Sequence, residues 1–156
     1  MSWEVSRGRI LFSTLVGLVL TVLPLPQMAD LIRPSFLVLT VLYWSIAAPR
    51  AAGVGLGWFA GLLLDVFQGP VLGQHALVLS LVSLITALEH QRIRSKPLFQ
   101  QSLIVLVVLA FYQGVVLAID GWTGHPLPSP LQWIQCGTGA LIWAPAATLL
   151  AQGRRA

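Results

Sequence analysis

This sequence predicts an all-α polytopic membrane protein, with six transmembrane helices and both chain ends on the cytoplasmic side. Three observations lead there. Of its 156 residues, 56% are hydrophobic and 9% charged, against about 25% charged in an average soluble domain. Mean hydropathy is +0.83, which matches most of the surface to hydrocarbon rather than water. Finally, the runs between charges approach the roughly 20 apolar residues, or at least about 17, that a helix needs to cross a bilayer. A soluble enzyme, a disordered tail and a disulfide-stapled secreted domain are excluded. With Cys136 the only cysteine, no intrachain disulfide can form. A pI of about 10.2 would suggest nucleic acid in a soluble chain. Here the placement of the cations matters more than their sum, and no nucleic-acid partner is expected.

Trimming the charge-free runs at turn formers gives spans at 10–26, 34–49, 51–68, 74–90, 98–119 and 131–151, one integral membrane domain over residues 1–156. The first run follows Arg7 and Arg9 and could be taken for a signal peptide. It exits through Pro24-Leu25-Pro26-Gln27-Met28-Ala29 with no Ala-x-Ala cleavage signal, so a retained helix is expected. The second span opens at Arg33-Pro34, and only Pro49 and Arg50 part it from the third. One helix from Pro34 to Leu64 would run 31 residues, too long for a single crossing without heavy tilt. Charge decides the matter, because Lys and Arg collect on cytoplasmic loops. With six spans and the N-terminus inside, Arg7, Arg9, Arg50, Arg92, Arg94, Lys96, Arg154 and Arg155 are cytoplasmic and Arg33 alone is outside. Merging spans two and three would move Arg92, Arg94 and Lys96 outside. The fourth span runs from Gln74 to that basic loop, the fifth stops before Asp120, and the sixth follows a Pro/Gly-rich stretch, Asp120 to Pro130, that reads as an ordered turn. The other outer segments, Gln27 to Arg33 and Gly69 to Gly73, are brief, so the chemistry must sit in or beside the bilayer.

Residues 53–73 are the most informative. Gly53, Gly57, Gly61, Asp65, Gly69 and Gly73 recur at about every fourth position. Small residues at that spacing let helix backbones approach closely, and close packing is what associates helices in lipid. The row drifts by about 40° per step, so Gly57 to Asp65 share one face and a helix-packing seam is expected. Asp65 is the only acid inside an expected span. An ionisable group there is a functional candidate that needs a partner. Arg33, the one outer cation, opens span two at the same end, so an Asp65–Arg33 pair is expected. The alternatives are that Asp65 reaches to water or caps the next turn. Gln74 and His75 begin span four nearby and complete a polar cluster with Arg33 and Asp65. A proton relay would need further ionisable groups along the spans, and none is expected there. His75 is better read as a polar turn residue satisfied by backbone.

Glu89, His90, Gln91, Arg92, Arg94 and Lys96 form the basic cytoplasmic loop, suited to fixing topology and touching anionic headgroups, with a cytoplasmic protein partner as the alternative. The tryptophans at 3, 44, 58, 122, 133 and 143 fall mostly near span ends, as interfacial anchors do. No phosphate loop, metal-ligand spacing or nucleophile elbow is present, and Ser80 and Ser83 have no intramembrane base. No catalytic residue, metal or cofactor is expected, and the protein is read as not an enzyme.

The order of residues resembles the MreD family of rod shape-determining membrane proteins, in its gammaproteobacterial form. The resemblance rests on Arg33-Pro34, Tyr43-Trp44 with Pro49, Gly53-Val54-Gly55-Leu56-Gly57-Trp58, Gly61-Leu62-Leu63-Leu64-Asp65, Gly73-Gln74-His75-Ala76-Leu77, His90-Gln91-Arg92 and Gln100-Gln101. It implies a place in the bacterial inner membrane, in the machinery that builds lateral peptidoglycan. The partners it implies are MreC first, then RodA, a class B penicillin-binding protein and MreB, with homo-oligomers possible through MreC. It also implies a fold similar to the six-helix substrate-binding components of vitamin transporters, with a periplasmic-side cavity. The acid expected after Arg-Pro is Ser35 here, which removes any family role for an acid at that point. Two functions follow as expectations: a non-enzymatic scaffold holding MreC, or a small-molecule or lipid-carrier binder built around Arg33, Asp65, Gln74 and His75.

Overall fold

The computed structural model describes residues 7–68 and 71–155, with side chains through Gln152, and is all-helical there, with no strand among the described residues. The helices are α1 (Arg7–Val22), α2 (Gln27–Ile32), α3 (Phe36–Ala47), α4 (Pro49–Gln68), α5 (Gln74–Leu88), α6 (His90–Arg94), α7 (Leu98–Thr123) and α8 (Ile134–Arg155), with a 3-10 turn at Pro130–Trp133 leading into α8. Four stretches are long and apolar enough to cross a membrane: Gln27–Ala47, Pro49–Gln68, Leu98–Thr123 and Pro130–Gln152. α1 and α5 are shorter, at 16 and 15 residues.

Several boundaries move from those the sequence suggests. Pro49 and Arg50 do not form a linker. Pro49 opens α4, where its missing N–H is one the helix start leaves unused anyway. The break falls on Ala48 (φ −142°, ψ 63°), the residue that a following proline drives out of helical geometry. α4 is kinked once, at Gly53 (φ −41°, ψ −133°). The segment after α1, expected as a connection, contains α2. α7 runs past the expected end at 119 to Thr123 and stops at Gly124, whose left-handed backbone (φ 76°) sends an N–H back to the Asp120 carbonyl.

Side-chain contacts fix the topology as three antiparallel hairpins. Between α1 and α3, the Trp44 indole N–H donates to Ser13 Oγ (2.7 Å), a Cβ at Gly17 would fall 2.9 Å from Thr40 Oγ1, and Thr21 Oγ1 accepts the Leu37 N–H (3.1 Å). That last bond satisfies an amide at the start of α3. Along α4 and α5, Gly57 faces Leu79 and Ser83, Gly61 faces His75 and Ala76, and Asp65 meets Gly73 to Ala76. In the third hairpin Trp143 pairs with Gln101, Gly139 with Leu109 and Gln132 with Gln113. α3 lies at the centre, buried continuously from Leu37 to Ile46, as a helix apolar on every side must be.

These pairings give the bundle two distinct ends. The starts of α1, α4 and α7 and the ends of α3, α5 and α8 lie at one end, carrying Arg9, Arg50, Arg92, Arg94 and Lys96. The opposite end carries Arg33, Asp65, Gln74, His75 and Asp120.

Candidate functional site

The site is built on the α4–α5 hairpin. A Cβ at Gly61 would lie 2.5 Å from the Ala76 backbone, and one at Gly57 would lie 2.2 Å from Ser83 Oγ and 2.7 Å from the Leu79 carbonyl. Only hydrogen fits at either position, and the two backbones meet as a result. The other glycines of the expected seam do different work. Gly53 makes the kink and has open space around it. Gly69 lies outside the described residues. Gly73 faces no helix: it holds φ 95° immediately before α5, a conformation that suits a residue without Cβ.

Close approach along Gly57 and Gly61 carries Asp65 onto the first turn of α5. Its side chain is fully buried. Oδ2 accepts the N–H groups of Gly73 (2.9 Å) and Ala76 (3.2 Å), and Oδ1 accepts that of His75 (2.9 Å). The His75 ring closes the set, its Nδ1 2.8 Å from Asp65 Oδ1. One carboxylate therefore occupies the amides that a helix start leaves without partners, from the end where the helix dipole is positive. The adjacent side chain reaches the other way. Gln74 is buried, and its Nε2 donates to Asp120 Oδ1 (2.9 Å) and to the Val116 carbonyl (3.2 Å) on α7. Tyr112, also buried on α7, lies against the His75 ring with centroids 6.2 Å apart. The first turn of α5 is thus clamped from α4 by Asp65 and from α7 by Asp120. Gln74 Oε1 is left buried without a partner.

Three expectations are corrected by this geometry. Arg33 does not pair with Asp65. It takes Asp30 instead (2.7 Å, one helical turn back) and donates to the carbonyls of Leu20 and Leu23 where α1 ends. Asp65 has no room for it, since backbone amides and His75 already fill both oxygens. Asp65 is also not the only acid within a long helix, because α7 continues through Asp120, which is buried. The carboxyl that seemed to end span five instead accepts a hydrogen bond from the Gln74 side chain. His75, finally, is satisfied by a carboxylate as well as through its backbone.

Elsewhere, Arg92, Arg94 and Lys96 are exposed, with Glu89 beside Arg92 (3.3 Å) and Ile93 buried beneath them. Trp58, Trp122 and Trp133 are exposed, as anchors would be. Trp44 and Trp143 are not: each is 2% exposed and donates its indole N–H inside the bundle. Trp3 lies outside the described residues. Among the described residues no three His, Cys, Asp or Glu side chains are grouped so as to hold a metal. Two surface grooves, one along α7 and one between α1, α3 and α8, are lined by none of Arg33, Asp65, Gln74 and His75.

The family described as rod shape-determining protein MreD matches residues 4–152. This chain belongs to the MreD family. The rod shape-determining protein MreD of Haemophilus influenzae is 32% identical over 111 residues, covering 71% of this chain and 68% of the relative. No solved structure matches the chain. Membership places this MreD-family chain among membrane-associated proteins of rod-shape determination, and the matched region contains every residue of the clamp. The sequence could have pointed to Asp120 by one signal, an acid only four residues before a helix-ending glycine. It could have pointed to Asp30 by another, its i,i+3 spacing to Arg33.

Proposed function

We propose that this MreD-family protein is a non-enzymatic scaffold of the cell-elongation machinery in the bacterial inner membrane. In this reading it binds MreC at its polar outer end and helps to position RodA, a class B penicillin-binding protein and MreB for lateral peptidoglycan synthesis. The chain crosses six times, as three hairpins with both ends in the cytoplasm. α1 and α5 serve as short crossings beside longer partners, an arrangement that local thinning of the bilayer accommodates. The basic end is cytoplasmic, as the preference of Lys and Arg for that side requires.

One observation carries the scaffold reading. The buried ionisable groups of the clamp are directed at this chain's own helices, so they fix shape rather than present reactive atoms. Asp65 takes three backbone amides and a ring nitrogen, and Asp120 takes Gln74. The competing reading, a small-molecule or lipid-carrier binder at the same end, has one atom in its favour, the unpartnered Gln74 Oε1. Co-purification with MreC from detergent separates the two. Gly57→Leu and Gly61→Leu force α4 from α5, and recovery of MreC should fall severalfold in both. Parental recovery with both variants overturns the proposal, and a small ligand retained by the parent and lost with Gln74→Leu would favour the binder.

A further inference from the structure

The two buried carboxylates of the polar end are compensated unequally. Asp65 lies at the start of α5, where the helix dipole is positive, and takes three amides and the His75 ring. Asp120 is 9% exposed and lies in the last turn of α7, where the dipole is negative and no basic side chain shares the turn. From the described residues its carboxylate receives a hydrogen bond from Gln74 Nε2 to Oδ1 (2.9 Å), and no cation among them pairs with it. The cations of that end are committed elsewhere. Arg33 is on Asp30, the His75 ring on Asp65, and the His125 ring on Thr123 Oγ1 (2.8 Å). Beside the carboxylate, Gln74 is 3% exposed and its Oε1 is buried with no donor. Covalent geometry separates the two polar atoms of an amide by about 2.2 Å, so Oε1 lies within about 5 Å of Asp120 Oδ1.

A negative charge and an unused amide oxygen this close call for a cation that also donates hydrogen bonds. Leaving either unpaired in a dry place is costly, and an acid within a membrane helix is ordinarily paired. An ammonium or guanidinium head meets both needs, because it cancels the charge and carries several N–H donors on one group. Two acceptors about 5 Å apart can both reach a single such head at ordinary hydrogen-bond distances. We infer that Asp120 and Gln74 Oε1 receive a Lys or Arg side chain of the protein partner at this end. The inference rests on the proposal that a partner docks there, and it names the charge which that partner presents.

Thermal unfolding of the full chain in detergent tests the site itself, with butylammonium chloride as the probe. Sodium and tetramethylammonium chlorides at equal ionic strength are the comparisons. Butylammonium at tenfold its half-saturating concentration should raise the parental midpoint by about 3–6 °C. Tetramethylammonium carries the charge without an N–H and should not. Asp120→Asn can still accept from Gln74 but lacks the charge, so it should fold and lose the shift. Glu89→Gln, which removes an acid at the other end, should keep it. Recovery of MreC should fall about tenfold in Asp120→Asn and stay parental in Glu89→Gln. No shift with butylammonium, equal shifts with all three salts, or a parental shift in Asp120→Asn would each overturn the site. Parental recovery of MreC in Asp120→Asn would overturn the pairing with a partner side chain. A loss in Gly61→Leu measured beside it would then leave the scaffold reading standing, whereas parental recovery in the glycine variants too would remove both.

Discussion

The two ends of the bundle treat charge in opposite ways. At the polar end Asp65, Gln74 and Asp120 are buried, His75 nearly so, and each bonds to a specific atom of another helix. At the basic end Arg92, Arg94 and Lys96 are exposed, and the buried residue of that short helix is the apolar Ile93. The first end uses polar groups as joints, where geometry is everything and a lost partner leaves an unsatisfied group in a dry place. The second uses them as a field, in which any one cation can be exchanged with little effect.

That contrast can be broken or sharpened by substitution, read as unfolding free energy in detergent. Asp65→Ala strips three amides and His75 of their acceptor and should have the largest effect, about 3 kcal/mol or more. Gly61→Leu should follow at about 1–3 kcal/mol, because the added side chain meets Ala76 backbone and cannot be accommodated by a rotamer change. Its control is Gly55→Ala, exposed and with nothing near its Cβ position, which should be neutral or slightly stabilising. Gln74→Leu leaves Asp120 without its side-chain donor and should cost about 1–3 kcal/mol. Arg33→Ala combined with Asp65→Ala should be additive within about 0.5 kcal/mol, since the two do not touch. A larger coupling would restore the pair that the sequence suggested. Arg94→Gln at the basic end should stay within about 0.5 kcal/mol.

Much of this architecture was legible in the sequence because hydrophobicity and charge act over whole segments. The helical class, the separation of α3 from α4 at Pro49, the clustering of cations toward one end and the close approach at Gly57 and Gly61 all follow from such patterns. The alternative that Asp65 caps the next turn was also legible, from an acid placed shortly before a helix start. Pairings were harder. Asp65 and Arg33 share an end of the bundle, but the side chain a residue meets depends on rotation about each helix axis, which apolar periodicity left undetermined in α3, buried on every side. Asp120 was missed because a charge reads as a boundary until its partner is known, and Gln74 lies 46 residues away. Trp44 and Trp143 were misplaced for a related reason: tryptophan near a span end serves equally well as an anchor or as core when its N–H finds an internal acceptor.

Asp65 orders the end of the protein at which MreC is proposed to bind. The direct measurement is recovery of MreC with membrane-inserted protein, normalised for its amount, for Asp65→Ala against the combined Arg92→Gln, Arg94→Gln and Lys96→Gln variant. The account predicts a severalfold loss with Asp65→Ala and parental recovery with the triple variant. The reverse pattern, MreC lost with the basic loop and kept without the carboxylate, would contradict it.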